Sequence, residues 1–405
     1  MSENVSVETL FAKIAAAEKA GRAEFESISH FLFEHPELGL EEFVSSKYLS
    51  DYLASKGFTV EFPYADLPTA FRAEFGTYGP KIAFLAEYDA LPGYGEEKKN
   101  AHACGHNWIA ASTVGAAVVL AEFAEEIGLT AVVIGTPAEE TFGAKVSMAR
   151  GTVFDDVDLV IQAHLGEKTS LDSHLLAMDS FLFEFYGKAS HASAAPWDGI
   201  NALEAVQLMY IGINSLRQYV RPDVRIHGVI REGGQAPNIV VDKASCEYYI
   251  RSSERAYLDT VSEKVVNVAR GAALMTGATM EHRLTELPFD NYVKLPVLRE
   301  LADRHLSAVG IEDRATKEEA AEMAGSSDIG NVSHVCPTVY IDVGLNSPEP
   351  LMVHEASALD LVDSPYAYER LHQTIQAMAA MAAEVAKDPS LLEEIRKEFR
   401  EKTEH

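Results

Sequence analysis

Lys81-Ile82-Ala83-Phe84-Leu85-Ala86-Glu87-Tyr88-Asp89 is an apolar run that closes in acids and passes at once into Ala90-Leu91-Pro92-Gly93. A short continuous apolar stretch bounded by Pro and Gly reads as a strand buried on both faces, as in parallel sheets, with polar groups at its carboxyl end. The arrangement recurs twice. Leu129 to Pro137 leads into Ala138-Glu139-Glu140-Thr141, and Val157 to Ala163 leads into His164. An Ala- and Val-rich helix is predicted between the first two, from Trp108 to Ile127, so the order is that of an α/β domain. Ligands of open α/β sheets collect beyond the carboxyl ends of the strands. Here three strands each deliver acids or a histidine to that end.

The turn that precedes the helix adds chemistry. His102-Ala103-Cys104-Gly105-His106-Asn107 packs two imidazoles and a thiol into six residues. Thiolate sulfur and neutral imidazole nitrogen suit zinc and neighbouring divalent ions, and a Cys-x-His spacing brings both donors to one ion at a turn. The competing reading is packing, since a buried Cys is often a small hydrophobe and a lone His a satisfied core group. His102 stays in that class. Adjacent acids such as Glu139-Glu140 also arise by chance in an acidic chain, and the position past a buried strand is what sets this pair apart. One can bind metal while the other serves as the base that a hydrolytic centre needs beside its water.

At 405 residues, with 47% apolar and 24% charged side chains, the chain exceeds one ordinary core and predicts a two-domain globular protein. Its formal net charge of -28, from 62 acidic and 34 basic residues, repels phosphate backbones and anionic membranes. Neither nucleic acid nor membrane is therefore an expected partner. Met1 to Glu24 is charged and Ala-rich without an uninterrupted apolar core, so no secretory signal or membrane anchor is expected. Three cysteines, Cys104, Cys246 and Cys336, are too sparse and odd a set for a disulfide framework. The protein reads as cytoplasmic, with Cys104 available as a thiolate and the other two in the core.

Helices are predicted over 5–34, ended by the break at His35-Pro36-Glu37-Leu38-Gly39, and over 41–56, with short β runs through 58–75 treated as scaffold. From Ala177 the pattern becomes strand 181–188, helix 199–220, strands 225–231 and 238–251, helix 255–276 and strand 278–287. That β-α-β-β-α-β order is the split unit of ferredoxin-like domains. It places a second domain at 178–288 and the metal-binding domain at 1–177 and 289–405. Helix 293–309, a polar loop at 325–331, strand 338–344 and a helix to Lys387 capped at Ser364-Pro365 complete the first domain. The tail from Leu391 to His405 is a mixed-sign helix or fray.

Seven blocks, taken in order, resemble one family. They are His35-Pro36-Glu37-Leu38-Gly39, Ala86-Glu87-Tyr88-Asp89-Ala90-Leu91-Pro92-Gly93, His102 to Asn107, Pro137-Ala138-Glu139-Glu140, Ala163-His164, Gly187 to Ser193 and Gly233 to Asn238. Almost end to end, the chain is similar to the metal-dependent amidohydrolases and exopeptidases that include aminoacylases, carboxypeptidase G, auxin-conjugate hydrolases and aminobenzoyl-glutamate hydrolases. The resemblance implies an α/β, phosphorylase/hydrolase-like zinc-exopeptidase catalytic domain with an inserted ferredoxin-like α+β lid that also forms a homodimer. It implies two divalent metal ions, Mn or Zn, held by Cys104, His106, Glu140, His164 and His354, with Glu139 as general base. It further implies that His191 of the lid, often donated across the dimer, steadies the oxyanion, and that Asn238 contacts substrate. Asp89 reads as a carboxylate that orients a ligand histidine or as a strand-end cap. Arg251 reads as a bidentate partner for a substrate carboxylate or as half of a surface ion pair.

Two positions depart from the pattern. Many relatives carry an imidazole where this chain has Glu87, and Asp where Asn107 stands; the combination looks most like the subgroup near aminobenzoyl-glutamate hydrolases and β-alanyl dipeptidases. The expected reaction is hydrolysis of the amide bond of an N-acyl or N-aroyl amino acid or small dipeptide. Two rivals stand beside it: hydrolytic deamination of an aromatic amine on the same scaffold, and a metal-binding scaffold protein without catalysis.

Overall fold

The computed structural model describes residues 7–322 and 325–403. The first six residues, which belong to the stretch read as lacking a signal, and the last two of the tail lie outside them. The chain divides into two compact units, one from residues 7–174, 293–322 and 331–403, the other from Leu175–Tyr292 with Gly325–Gly330. The loop around 325 joins the second unit through the backbone: Leu176 N–H donates to the Gly325 carbonyl at 2.8 Å.

In chain order the first unit opens with α1 (Val7–Glu34), α2 (Phe43–Ser55), β1 (Thr59–Glu61), β2 (Phe71–Phe75) and β3 (Lys81–Ala86). It continues through α3 (His106–Ala121), the short α4 (Ala124–Ile127), β4 (Thr130–Gly135), α5 (Ala144–Arg150) and β5 (Leu159–Gly166). The second unit then supplies β6 (Ala177–Tyr186), α6 (Ala202–Leu216), β7 (Arg225–Glu232), β8 (Lys243–Ser252), α7 (Arg255–Thr276) and β9 (Thr279–Leu284). The remainder is α8 (Pro296–Ala308), α9 (Lys317–Glu322), α10 (Ile329–Ser333), β10 (Thr338–Gly344), α11 (Pro365–Lys387) and α12 (Pro389–Thr403).

The first sheet has the order β1-β2-β4-β3-β5-β10. Its inner strands β4, β3, β5 and β10 run parallel, while β1 and β2 finish one edge antiparallel. Burial on both faces explains the unbroken apolar runs, since neither face of these strands meets water. β5 extends beyond its expected end because β10 pairs with it as far as Gly344 opposite Gly166. His164 therefore lies inside a strand, opposite Asp342, and not past it.

α3 is buried at every position and has no polar face, which marks an interior helix, and it packs against β3, α1 and α11. Close approach of α3 to α11 depends on Gly115, where an added Cβ would sit 2.5 Å from Ile375 Cδ1. α11 starts as the sequence predicts, with Pro365 in its first turn and the Ser364 hydroxyl accepting the Ala367 N–H at 3.3 Å. Among the described residues no helix is long and apolar enough to cross a membrane.

The second unit follows the β-α-β-β-α-β order, with an antiparallel sheet β7-β8-β6-β9. β8 alternates: Ala244, Cys246, Tyr248 and Ile250 enter the core with Phe183, Phe185, Met209 and Val265, while Glu247, Tyr249 and Arg251 take the opposite face. Burial pushes the Cys246 thiol up to about 12, in keeping with a packing role.

Candidate metal centre

The parallel strands bring their carboxyl ends side by side, and each hands a loop to the same place. Glu87-Tyr88-Asp89 follows β3, the His102–His106 turn opens α3, Glu139-Glu140 follows β4, His164 sits near the end of β5, and His354 lies on the loop after β10. The turn into α3 requires Gly105: its φ is +78° and a Cβ there would meet Leu165 Cδ1 at 2.9 Å. His354, itself at φ +62°, is tied to the same turn by its N–H, which donates to the Ala103 carbonyl at 2.9 Å.

The donors form two groups that share one atom. Ligand atoms of Cys104, His106 and His164 lie within 4.8 Å of one another, and so do those of Cys104, Glu140 and His354. Cys104 Sγ is 3.6 Å from His164 Nε2 and 3.3 Å from His354 Nε2. Glu140 Oε1 is 3.2 Å from His354 Nε2 and 3.8 Å from His106 Nε2. A third group, His106, Glu139 and Glu140, places the second carboxylate of the pair at the rim of the first two. Two triads meeting at one sulfur match the donor chemistry of two divalent ions with a bridging ligand. Buried atoms without a hydrogen-bond partner point the same way, among them His106 Nε2 and Glu140 Oε1.

The far sides of these ligands are held. Asp89, almost fully buried, places Oδ1 3.0 Å from His106 Nδ1 while its Oδ2 accepts the Glu140 N–H at 3.0 Å. His164 Nδ1 lies 2.6 Å from the Leu165 carbonyl, which leaves Nε2 facing the centre. Burial, with Glu140 beside it, pushes the Cys104 thiol well above its ordinary range, so a thiolate there needs a cation. Burial alone would lower the His106 imidazole, but the charges of Cys104 and Asp89 raise it well above its usual value. Glu140 is raised by burial and lowered more by its bond to His354 and the charge of His106, with a net shift downward.

Residues treated as scaffold also position the pair of acids. Glu42, fully buried in the loop before α2, accepts the Ala138 N–H at 2.8 Å and the Thr69 hydroxyl at 2.7 Å. Ala138 adopts φ +55°, a conformation L residues rarely take, immediately before Glu139. Gly39 lies against it, because a Cβ at 39 would come within 2.9 Å of Ala138 Cα. Glu37 caps α2 through the N–H groups of Val44 and Ser45, and its carbonyl accepts the Ala90 N–H at 2.8 Å. Lys145 was not foreseen either: fully buried in α5, it pairs with Glu87 at 2.6 Å. A lysine between Ala144 and Val146 carries no local signal of such a place.

His102 is buried away from the donor groups and held down to about 3 by burial and the neighbouring His106 charge, as a packing residue. Asn107 donates to Ser29 Oγ at 3.0 Å and to the Val362 carbonyl at 3.3 Å, so it anchors the start of α3.

In the second unit His191 and Asn238 are brought together. The Ala192 N–H donates to the Asn238 carbonyl at 3.0 Å, and the His191 ring accepts the Ala194 N–H through Nδ1 at 3.3 Å, with Nε2 outward. Both residues are exposed. Arg251 lines a cavity of about 390 Å³ with His227, Arg231 and Tyr249, and its buried Nε has no hydrogen-bond partner.

Comparison with known proteins agrees with this geometry. The Xaa-Arg dipeptidase of Mus musculus is 33% identical over 401 residues, covering 95% of this chain and 90% of its own. One of the two kinds of chain in the p-aminobenzoyl-glutamate hydrolase of Escherichia coli (strain K12) is 35% identical over 292 residues, 68% of this chain and 61% of its own. A solved structure from Bacillus subtilis, described as a dinuclear metal binding peptidase from M20 family, shares the fold with a TM-score of 0.66 at 21% identity, covering 90% of this chain and 99% of its own. Residues 83–384 match the model of peptidase family M20/M25/M40, and the chain belongs to that family.

Proposed function

We propose that the chain hydrolyses the linear amide bond of an N-acyl or N-aroyl amino acid or a small dipeptide, with two divalent ions, zinc or manganese, as cofactors. The observation that carries this reading is the pair of donor triads meeting at Cys104 with Glu139 beside them. The mouse relative is named a dipeptidase and the E. coli relative a hydrolase of p-aminobenzoyl-glutamate; both names describe substrates built on an amino acid.

Divalent ions bound in such a centre polarise a carbonyl oxygen and bring the pKa of water to about 7. Cys104, His106, Glu140, His164 and His354 hold them, and Asp89 fixes two of those five at once. Glu139 takes the proton of the attacking water and passes it to the departing nitrogen, so the base ends the cycle as it began. His191 donates a hydrogen bond to the carbonyl oxygen as negative charge develops there. Asn238 contacts the substrate beside His191, and Arg251 pairs with the carboxylate of the amino-acid half; a guanidinium whose Nε is buried without a partner suits that task.

The second unit also carries a homodimer contact. β7 is an edge strand on which Val229 and Ile230 are 51% and 43% exposed, and apolar surface on an open edge is what a second copy covers. Three unbridged cysteines support work in the reducing cytoplasm.

Loaded with manganese or zinc and offered N-acyl amino acids, dipeptides and aryl amines, the protein is expected to release free amino acids and no ammonia. Glu139→Ala should keep its metal and lose ~100-fold or more in turnover. Ammonia release without amide cleavage, or a metal-replete Glu139→Ala protein working at full rate, overturns the reading.

A further inference from the structure

Glu87 is fully buried at the end of β3, and its two oxygens have different fates. Oε1 is held by the Lys145 ammonium at 2.6 Å and by the Gln162 amide at 2.7 Å. Oε2 has no hydrogen-bond partner. It faces the centre instead, 3.8 Å from His106 Nε2 and 4.0 Å from His164 Nε2. The opposite nitrogens of both rings are already engaged, His106 by Asp89 and His164 by the Leu165 carbonyl, so the two Nε2 atoms and Oε2 are aimed at one another.

Three donors at ~2.0–2.2 Å from one ion stand roughly 3.4 Å apart in tetrahedral geometry. The observed separations exceed that by about half an ångström, within reach of small side-chain rotations once a cation sits among them. We propose that Glu87 Oε2 is a protein ligand of the ion in the Cys104, His106 and His164 half of the centre, with Lys145 and Gln162 fixing the carboxylate so that only this oxygen is presented. The proposal rests on the two-ion reading given above and adds to the five donors assigned there. Two features distinguish it from a plain buried ion pair. A carboxylate that only neutralised Lys145 would not leave its second oxygen unpartnered against two imidazole nitrogens. An oxygen of Glu87 also lies within 4.8 Å of one of Glu139, a like-charge approach that a cation between them relieves. An added oxygen donor makes this half more hospitable to manganese than sulfur and imidazole alone.

The test is metal binding by the full chain. Manganese is titrated into wild type, Glu87→Gln and the double variant Glu87→Gln/Lys145→Met, with free ion read by its paramagnetic resonance signal and bound ion by elemental analysis after desalting. The double variant removes both buried charges together, so its fold does not depend on an orphaned ammonium. Wild type should bind two ions, while both variants keep one at unchanged affinity and bind the other at least ~10–100-fold more weakly. Two ions held within threefold of wild-type affinity in both variants overturn the ligand assignment and leave the two-ion reading intact. A wild-type chain that binds fewer than two ions overturns that reading and this one with it.

Discussion

Asp89 fixes a nitrogen of His106 with one oxygen and the backbone of Glu140 with the other, so one carboxylate sets the spacing between donors from two loops. Of the two readings open in the sequence, the ligand-orienting one is the one this geometry supports. The donor types themselves were legible: Cys104, His106, Glu140 and His164 stand at strand ends or in a turn, and the structure brings their atoms together. His354 had no local signature, because its place depends on a backbone bond to Ala103 across about 250 residues of chain. At this scale the sharpest functional claim concerns His191. Removing one donor to a developing oxyanion commonly costs ~3 to 4 kcal/mol, so His191→Ala should cut kcat ~100-fold or more with metal content unchanged. Near-normal turnover in steady-state assays of the metal-loaded variant would remove that role.

At the scale of elements, the loop between α1 and α2 does more than end a helix. Gly39 and Glu42 press on Ala138 from one side, and Glu37 holds the segment after β3 from the other, so the His35–Gly39 block braces two loops of the centre. The sequence marked it only as a break, since Pro and Gly announce a turn without saying what the turn leans on. Glu42 makes the bracing measurable. Burial, with the nearby Asp89 charge, raises its carboxyl to about 7. The folded chain then keeps a proton that the unfolded chain has released, and stability falls as pH rises from 4.5 to about 7. A shift of that size corresponds to roughly 3 kcal/mol. Urea unfolding of the metal-free protein should show wild type losing stability between pH 5 and pH 7.5, and Glu42→Gln losing markedly less; parallel pH profiles would dismiss the effect.

Over the whole molecule, the donor groups belong to one of the two units, and metal should stabilise that unit alone. At a free-ion concentration of 100 times the Kd, binding contributes about 2.7 kcal/mol to the folded state. Chelation is therefore expected to speed amide hydrogen exchange in β3, β4, β5 and α3 and to leave β6 and β8 unchanged. Equal loss of protection in both sets would contradict the assignment of the centre to the first unit. The homodimer is tested separately: sedimentation should give twice the chain mass, and charged residues at Val229 and Ile230 should return the monomer. A wild-type monomer at micromolar concentration sets the dimer aside.

The sequence by itself determined the alternation of strands and helices in both units, because buried parallel strands and half-buried antiparallel ones leave different periods in the apolar pattern. It also determined which donors were chemically able to bind a metal, since that follows from residue type. Tertiary structure decided which of them meet. Sharing of Cys104 between two triads, the turning of Glu87 toward both imidazoles, and the burial of Lys145 behind it depend on strand order and on contacts between loops distant along the chain. No local pattern encodes these, because a side chain's neighbours in such a site are set by the register of the strands beneath it.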